Sequence, residues 1–456
     1  MRFPSRPAVI ATLAALALTS CGTGADSGAG SVSLTIAANS ISGGKNSESA
    51  DWIKRWVIPE FERTHRDVKV LFQPSGVDDE QYKTKIALDL KSGTGADVID
   101  IDGIWVGEFA QAGYIKPLPE VGGATVEQWE GWSQIPQAVQ SLGIFDGKKY
   151  GLPQGTDGRV LFYNKTLFAK AGLPGPWQPK SWQDIIDAGT RLKAAGVPVP
   201  IQIDAGTAMG EATTMQGVLP LLAGAGSEIY AAGSKWTGAS RSLKDALGFY
   251  RQIYGGSGLG DPRLQQEAKG RDKSFAQFAA GKIGILAESD YFWRSVVEPR
   301  AGVAPMKDRD QVVGYAKIPA ERPGAGVRGQ DFVSMSGGAV RVLNPYSKNP
   351  RLAWDLLAFM HSAAATKAQL AGQARISSRA DVNDEVLTAD PMLKFVADEV
   401  LPLTAYRPGL AVYPQVSAAL QEATAAVVSG TSPDEAAAAY QAKLEDLVGG
   451  PAHVGG

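Results

Sequence analysis

The residues able to do chemistry are few, and their spacing excludes most of it. The three histidines, His65, His361 and His453, are far apart in sequence, and Cys21 is the single cysteine. No cysteine–histidine ligand set or CxxC can therefore form, no HExxH or GxSxG occurs, and no metal or cofactor is expected. Gly43 to Ser47 (GGKNS) has the outline of a phosphate loop. It lacks the earlier glycine, and Asn46 stands where Ser or Thr must reach magnesium. GSGLG at Gly256 to Gly260 follows a helical stretch rather than a strand, so it is a loop and not a dinucleotide fingerprint. Carboxylates, amides and aromatic rings remain. Asp102 and Asp157 could be the acid and base of a secreted glycoside hydrolase, which needs two suitably spaced carboxylates. Nothing in the sequence gives either a raised pKa. The same groups suit binding without reaction: carboxylates and amides accept hydrogen bonds from hydroxyls, and flat aromatic faces meet C–H groups.

These residues need elements to position them. From Ser31 onward strand and helix patterns alternate: strand Val32 to Ala37, helix Ser49 to His65, strand Val68 to Phe72, helix Glu80 to Ser92 and strand Val98 to Ile101. Pro59 should kink or divide the first helix. Tyr82, Ile86 and Leu90 share one face of the second. A βαβαβ rhythm predicts an α/β protein with a parallel sheet and helices on both faces. Ligands of such sheets bind beyond the strands' carboxyl ends. Asn39 and Ser40 follow the first strand, and Asp102 and Trp105 follow another, so all four are candidate cleft residues. Their alternatives are a turn or helix cap for Asn39, Ser40 and Asp102, and a core position for Trp105. Further on, Ser181 with Asp184 and Ser432 with Glu435 read as helix starts. Asn349-Pro350 opens a helix expected to bury Leu352, Leu356, Phe359 and Met360.

The chain is long enough for two domains, with net charge -2 and a pI of about 6.1. Its basic residues are dispersed, leaving no nucleic-acid footprint. Residues 1–20 carry Arg2 and Arg6 ahead of an apolar run, Ala8 to Thr19, too short to span a bilayer. Leu18-Thr19-Ser20-Cys21 resembles the lipobox of bacterial lipoproteins, which implies lipidation of Cys21 and anchoring on the extracytoplasmic side of the cell membrane. Residues 21–30, small and flexible, read as a tether. With one cysteine no intramolecular disulfide can form, so the fold rests on its core. Residues 449–456 read as a disordered tail.

Four segments together carry a more specific likeness. They are Ala96 to Leu118 (ADVIDIDGIWVGEFAQAGYIKPL), Gly147 to Lys193 beginning GKKYGLPQGTDGRVLFYNKTLFAKAGL, Phe275 to Trp293 (FAQFAAGKIGILAESDYFW), and Ser336 to Leu370 beginning SGGAVRVLNPYSKNPRLAWDLLAFM. In this order they resemble the family 1 extracellular solute-binding proteins of ABC importers. The resemblance implies a periplasmic-binding-protein-like fold of two hinge-connected lobes: 31–152 with 335–375, and 157–330 with 380–448. It places crossings near Gly151 to Thr156, Gly329 to Ser334 and Arg375 to Arg379. It implies a ligand-contacting carboxylate at Asp157 and a stacking ring at Tyr291 or Trp293. It also implies close backbone approach at Gly337-Gly338 and a contact at Arg407, whose alternative is a solvated arginine. The expected partners are a mono-, di- or oligosaccharide and the permease of an ABC transporter, with the binding protein a monomer. The alternative ligand is a glycerophosphodiester, which calls for Arg or Lys at its phosphate. A lipid-anchored adhesin or scaffold is the remaining class, and it would need no cleft.

Overall fold

The computed structural model describes residues 32–455 apart from 45, 78, 232–233, 301 and 372–374. Cys21, the leader and the tether lie outside the described residues. Two separate sheets organise the chain. The first runs, edge to edge, Val68–Pro74, Val32–Ala38, Val98–Asp102, Ala339–Leu343 and Gly151–Pro153. The three strands earliest in sequence are parallel, as the βαβαβ rhythm predicts, with Val32 opposite Val68 and Ile36 opposite Val98. Ala339–Leu343 and Gly151–Pro153 join antiparallel, so the sheet is mixed rather than parallel throughout. Period-two alternation divides the first strand between two cores. Leu34, Ile36 and Ala38 pack with Trp52 and Phe61, and Ala37 packs on the other face with Tyr82, Ile99 and Trp105.

The second sheet runs Val313–Ala316, Arg159–Asn164, Ile283–Ser289 and Val199–Gln202. Arg159–Asn164 is buried along its whole length. Val160 and Phe162 face one core, and Leu161 and Tyr163 face the other. A continuous apolar run is what a strand covered on both faces requires.

The helices show how local sequence sets boundaries. Asp79–Lys91 buries Tyr82, Ile86 and Leu90, the predicted face. The first helix is divided: Pro59 has no N–H for an α-type bond, and the chain passes through a π-helical stretch, Ile53–Val57, just before it. Ser181 and Ser432 each close a capping box, with Asp184 and Glu435. Asn349 does not cap with its side chain. The helix Pro350–Met360 buries Ala353, Trp354, Leu356, Leu357 and Met360, while Leu352 and Phe359 are half-buried.

The expected disordered tail is instead ordered through residue 455. Gly449 ends the last helix in the left-handed conformation, and Val454–Gly455 pairs in parallel with Trp236–Thr237. The polar end of the chain is satisfied by a strand edge that composition does not reveal. Among the described residues no helix is long and apolar enough to cross a membrane.

The chain passes between the sheets where Gly151–Pro153 gives way to Arg159–Asn164. It returns at Gly337-Gly338, between Phe332–Ser336 and Ala339–Leu343 and later than residues 329–334. Gly155 forms a bridge with Ser377, so a third segment meets the first here. Gly338 is where these segments touch. Its φ is +155°, and a Cβ would stand 2.4 Å from the Gly155 carbonyl oxygen and 3.0 Å from Leu142 Cδ2. Only glycine allows this close approach.

Candidate functional site

Strand ends of the first sheet and the connecting segments enclose a cavity of about 490 Å³. Asn39, Ser40, Asp102, Trp105, Asp157, Gly337, Gly338 and Arg407 all line it. Asn39 and Ser40 stand at the carboxyl end of Val32–Ala38, where an open α/β sheet places its ligand. Asn39 Nδ2 is fixed by the Val77 carbonyl at 3.1 Å and by Asp79 Oδ1 at 3.0 Å. Asp102 ends its strand and caps the following turn, its Oδ1 accepting from the Ile104 amide at 3.1 Å. Burial raises the Asp102 pKa above the ordinary carboxylate value, against the lowering charge of Arg407. Trp105 is largely buried, tilted against Tyr82 and stacked with Phe109, so only its rim meets the cavity.

Asp157 is tied into the wall. Its Oδ1 accepts from Arg159 Nη1 at 2.5 Å and from the Gly337 amide at 2.8 Å. Arg159 is itself buried and also donates to Gln216 Oε1 and the Met335 carbonyl, so the ion pair is held from several sides. The Gly337 amide is thus engaged by Asp157. Arg407 is not the solvated arginine of the alternative reading: Glu211 draws it in, with Nη1 donating at 3.1 Å. Glu211 is held in turn by Tyr413 and Ser417 at 2.6 Å each.

The aromatic expectation meets a different geometry. Trp293 does not line this cavity. Its Nε1 donates to the Asp390 carboxylate at 3.0–3.1 Å, and the Arg309 guanidinium covers its ring at 3.7 Å. It belongs instead to a second recess shared with Tyr315 and Pro391. Tyr291 does not line the cavity either, and the Arg271 and Arg294 cations sit over its ring at 5.9 and 5.5 Å. The two rings fall away because the strand Ile283–Ser289 ends just before them and a π-helical turn, Phe292–Val296, carries the chain inward.

Several lining residues escaped the sequence reading. Tyr82 was legible only as a core position on its helix face. Gln154 stands three residues before Asp157, in the first crossing. It is oriented from behind by Arg341, fully buried, whose Nη2 donates to Gln154 Oε1 at 2.8 Å and whose Nε donates to Asp100 at 2.9 Å. With the oxygen thus engaged, the amide nitrogen is left over. That leftover is general. Asn39 Oδ1, Ser40 Oγ, Tyr82 Oη, Gln154 Nε2 and Arg407 Nε are buried with no hydrogen-bond partner among the described residues, and all five residues line this cavity. Buried polar groups are ordinarily satisfied, and five of the twelve unpaired ones among the described residues belong to residues around this one cavity. Arg159, Arg294, Arg375 and Arg407 line it as well. No sequence pattern singled out the first three.

The profile of the family described as bacterial extracellular solute-binding protein matches residues 45–367. This chain belongs to that family. A relative described as a binding protein, from Brucella abortus, is 26% identical over 348 residues, covering 76% of this chain and 75% of the relative. An sn-glycerol-3-phosphate-binding periplasmic protein of Agrobacterium fabrum is 29% identical over 159 residues, 34% of either chain. Among solved structures, an ABC transporter solute-binding protein from Thermotoga lettingae bound with α-D-tagatose has a TM-score of 0.66 at 25% identity. It covers 92% of this chain and 100% of its own. The extracellular solute-binding protein described here accordingly has the two-lobed α/β fold with its cleft between the lobes. Membership places its work outside the cytoplasm.

Proposed function

We propose that this solute-binding protein captures a mono-, di- or short oligosaccharide between its lobes and delivers it to the permease of an ABC transporter. The observation that carries the reading is the set of unpaired buried atoms around the cleft. Asn39 Oδ1 can only accept, Gln154 Nε2 and Arg407 Nε can only donate, and the Ser40 and Tyr82 hydroxyls can do either. A ligand that satisfies all of them needs groups that donate and accept within a small volume, as sugar hydroxyls do. Asp102 and Asp157 add acceptors, and the rim of Trp105 an apolar edge. The tagatose bound by the Thermotoga relative supports the same class. In this reading residues 32–152 and 339–371 form one lobe and 159–336 with 380–448 the other. Closing them removes water and strengthens each bond made inside. Cys21 carries the lipid, residues 21–30 form the tether, and the binding unit is monomeric.

One observation favours a hydrolase: burial raises the Asp102 pKa, as a general acid requires. The Asp102 carboxylate, however, already caps its own turn. The test is a thermal-shift screen of the protein lacking residues 1–21 against sugars, glycerophosphodiesters and short peptides, with chromatography of the sugar afterwards. A raised melting temperature with the sugar intact is the expected result. A rise with phosphodiesters alone, or cleavage of a disaccharide, rejects the proposal.

A further inference from the structure

Most of the cationic groups at the cleft stand beside a carboxylate. Asp102 feels Arg407, whose Nη2 lies 3.5 Å from where a Gly337 side chain would begin, with Asp157 Oδ1 at 3.9 Å from the same point. Asp157 pairs with Arg159, and Asp290 pairs with Arg294 at 2.9 Å while accepting from the Gly158 amide at 3.0 Å. Arg375 is the exception. Arg375 lines the same cavity beside Arg294, with no acceptor within hydrogen-bond or ion-pair distance among the described residues. Partial withdrawal from bulk water and then the Arg294 charge hold the Arg375 pKa below its ordinary value. By surface area the residue is exposed, and it lines the cavity.

Arg294 cannot relieve Arg375, because a guanidinium accepts no hydrogen bond. Arg294 instead donates from Nε to Asp290 and from Nη1 to Ser295 Oγ at 3.2 Å. Glu48 and Asp290 both attract Arg375, but neither forms an ion pair with it among the described residues. The other cleft arginines differ in kind: Arg159 and Arg407 each have a carboxylate partner. Arg294 and Arg375 line one cavity, and only Arg294 has a carboxylate partner, so Arg375 keeps a fork of N–H donors able to receive an oxyanion in bidentate fashion.

We infer that Arg375, backed by Arg294, is a specificity-determining residue that selects a carbohydrate bearing an oxyanion: a carboxylate, phosphate or sulfate. The inference rests on the carbohydrate reading above and narrows it. The unpaired amides, hydroxyls and carboxylates take the neutral hydroxyls, and the Arg375 end takes the charge.

The test is calorimetric titration of the full chain in detergent with matched probes: galactose against galacturonate, maltose against digalacturonate, and glucose against glucose 6-phosphate. An acidic member should bind at least about tenfold tighter than its neutral counterpart, and its affinity should weaken with added salt. Arg375→Gln should weaken the acidic members far more than the neutral ones and remove the salt dependence, with the melting temperature of the free protein unchanged, and Arg375→Lys should restore part of the preference. Preference for the uronates over the phosphate, or the reverse, identifies which oxyanion the site holds. Neutral sugars binding as tightly as acidic ones overturns the inference and leaves the carbohydrate reading intact. So does an equal loss for both kinds in Arg375→Gln, which would make Arg375 a closing contact for Glu48. Binding of no sugar in the panel overturns both.

Discussion

Asp157→Ala separates the two jobs that the structure gives one carboxylate. Inside the wall, its Oδ1 accepts from Arg159 and the Gly337 amide. Toward the cavity, Oδ2 has no donor among the described residues. A hydrogen bond to a charged group contributes about 1.5–3 kcal/mol. The Asp157 side chain is 24% exposed against 7% for Arg159, so solvent screens part of the ion pair. Arg159 also keeps its bonds to Gln216 and Met335. The stability cost should therefore be about 1–2 kcal/mol, read as a lowered urea midpoint. The binding cost comes from the lost acceptor in a closed cleft. It should be about 1–3 kcal/mol, or roughly 5- to 150-fold in Kd, read by calorimetry with the tightest sugar of the screen. Asp157→Asn is the control. Its amide oxygen can still accept from Gly337 and Arg159, while a nitrogen replaces Oδ2 and turns an acceptor into a donor. It should keep most of the stability and lose most of the affinity. If the alanine variant loses stability but binds as the wild type does, Asp157 is a wall residue only and the reasoning fails. Wild-type affinity in the asparagine variant would show that no acceptor is needed there.

Other perturbations test the frame around the site. Arg341→Met leaves Asp100 buried without its cation and Gln154 unanchored, and should cost about 3–5 kcal/mol in urea unfolding. Loss of less than about 1 kcal/mol would show that Asp100 finds another partner. In the second lobe, burial and then the Glu288 charge push the Asp204 pKa up to about 8. Between pH of about 4 and about 8 the folded chain keeps a proton that the unfolded chain, with its ordinary carboxylate, has released, so stability falls as pH rises through that window. Asp204→Asn should flatten that slope in urea titrations across the window, and an unchanged slope rejects the assignment. Trp293→Phe removes the donor to Asp390 and should cost about 1 kcal/mol of stability with sugar affinity unchanged. A loss of affinity would return Trp293 to the ligand.

How much of this was legible in the sequence depended on the range of the interactions involved. Alternation of apolar and polar residues gave the early strands to within a few residues. Ser181 and Ser432 announced their helices because a capping box is completed within four residues of chain. The end of the first strand placed Asn39 and Ser40 at the cleft for the same local reason. The tail was misread because its partner, Trp236–Thr237, is remote in sequence. Tyr291 and Trp293 fall outside the cavity for a different reason: the direction of a ring depends on one turn of π-helix after the strand.

The arginines show where a sequence stops informing. Arg159, Arg341, Arg375 and Arg407 are alike as letters, and none stands in a basic cluster. Their roles follow from what each finds on arriving. Arg341 meets Asp100 and disappears into the core, Arg159 meets Asp157, and Arg407 meets Glu211 across 196 positions of chain. Arg375 meets another arginine. As letters, Asp102 and Asp157 argue against an anionic ligand, because both are acidic. The fold reverses the weight of that argument, since Asp157 is neutralised by Arg159 and Asp102 is opposed by Arg407. Net charge at a binding site is set by pairing, which is tertiary, and the unpaired remainder selects the ligand.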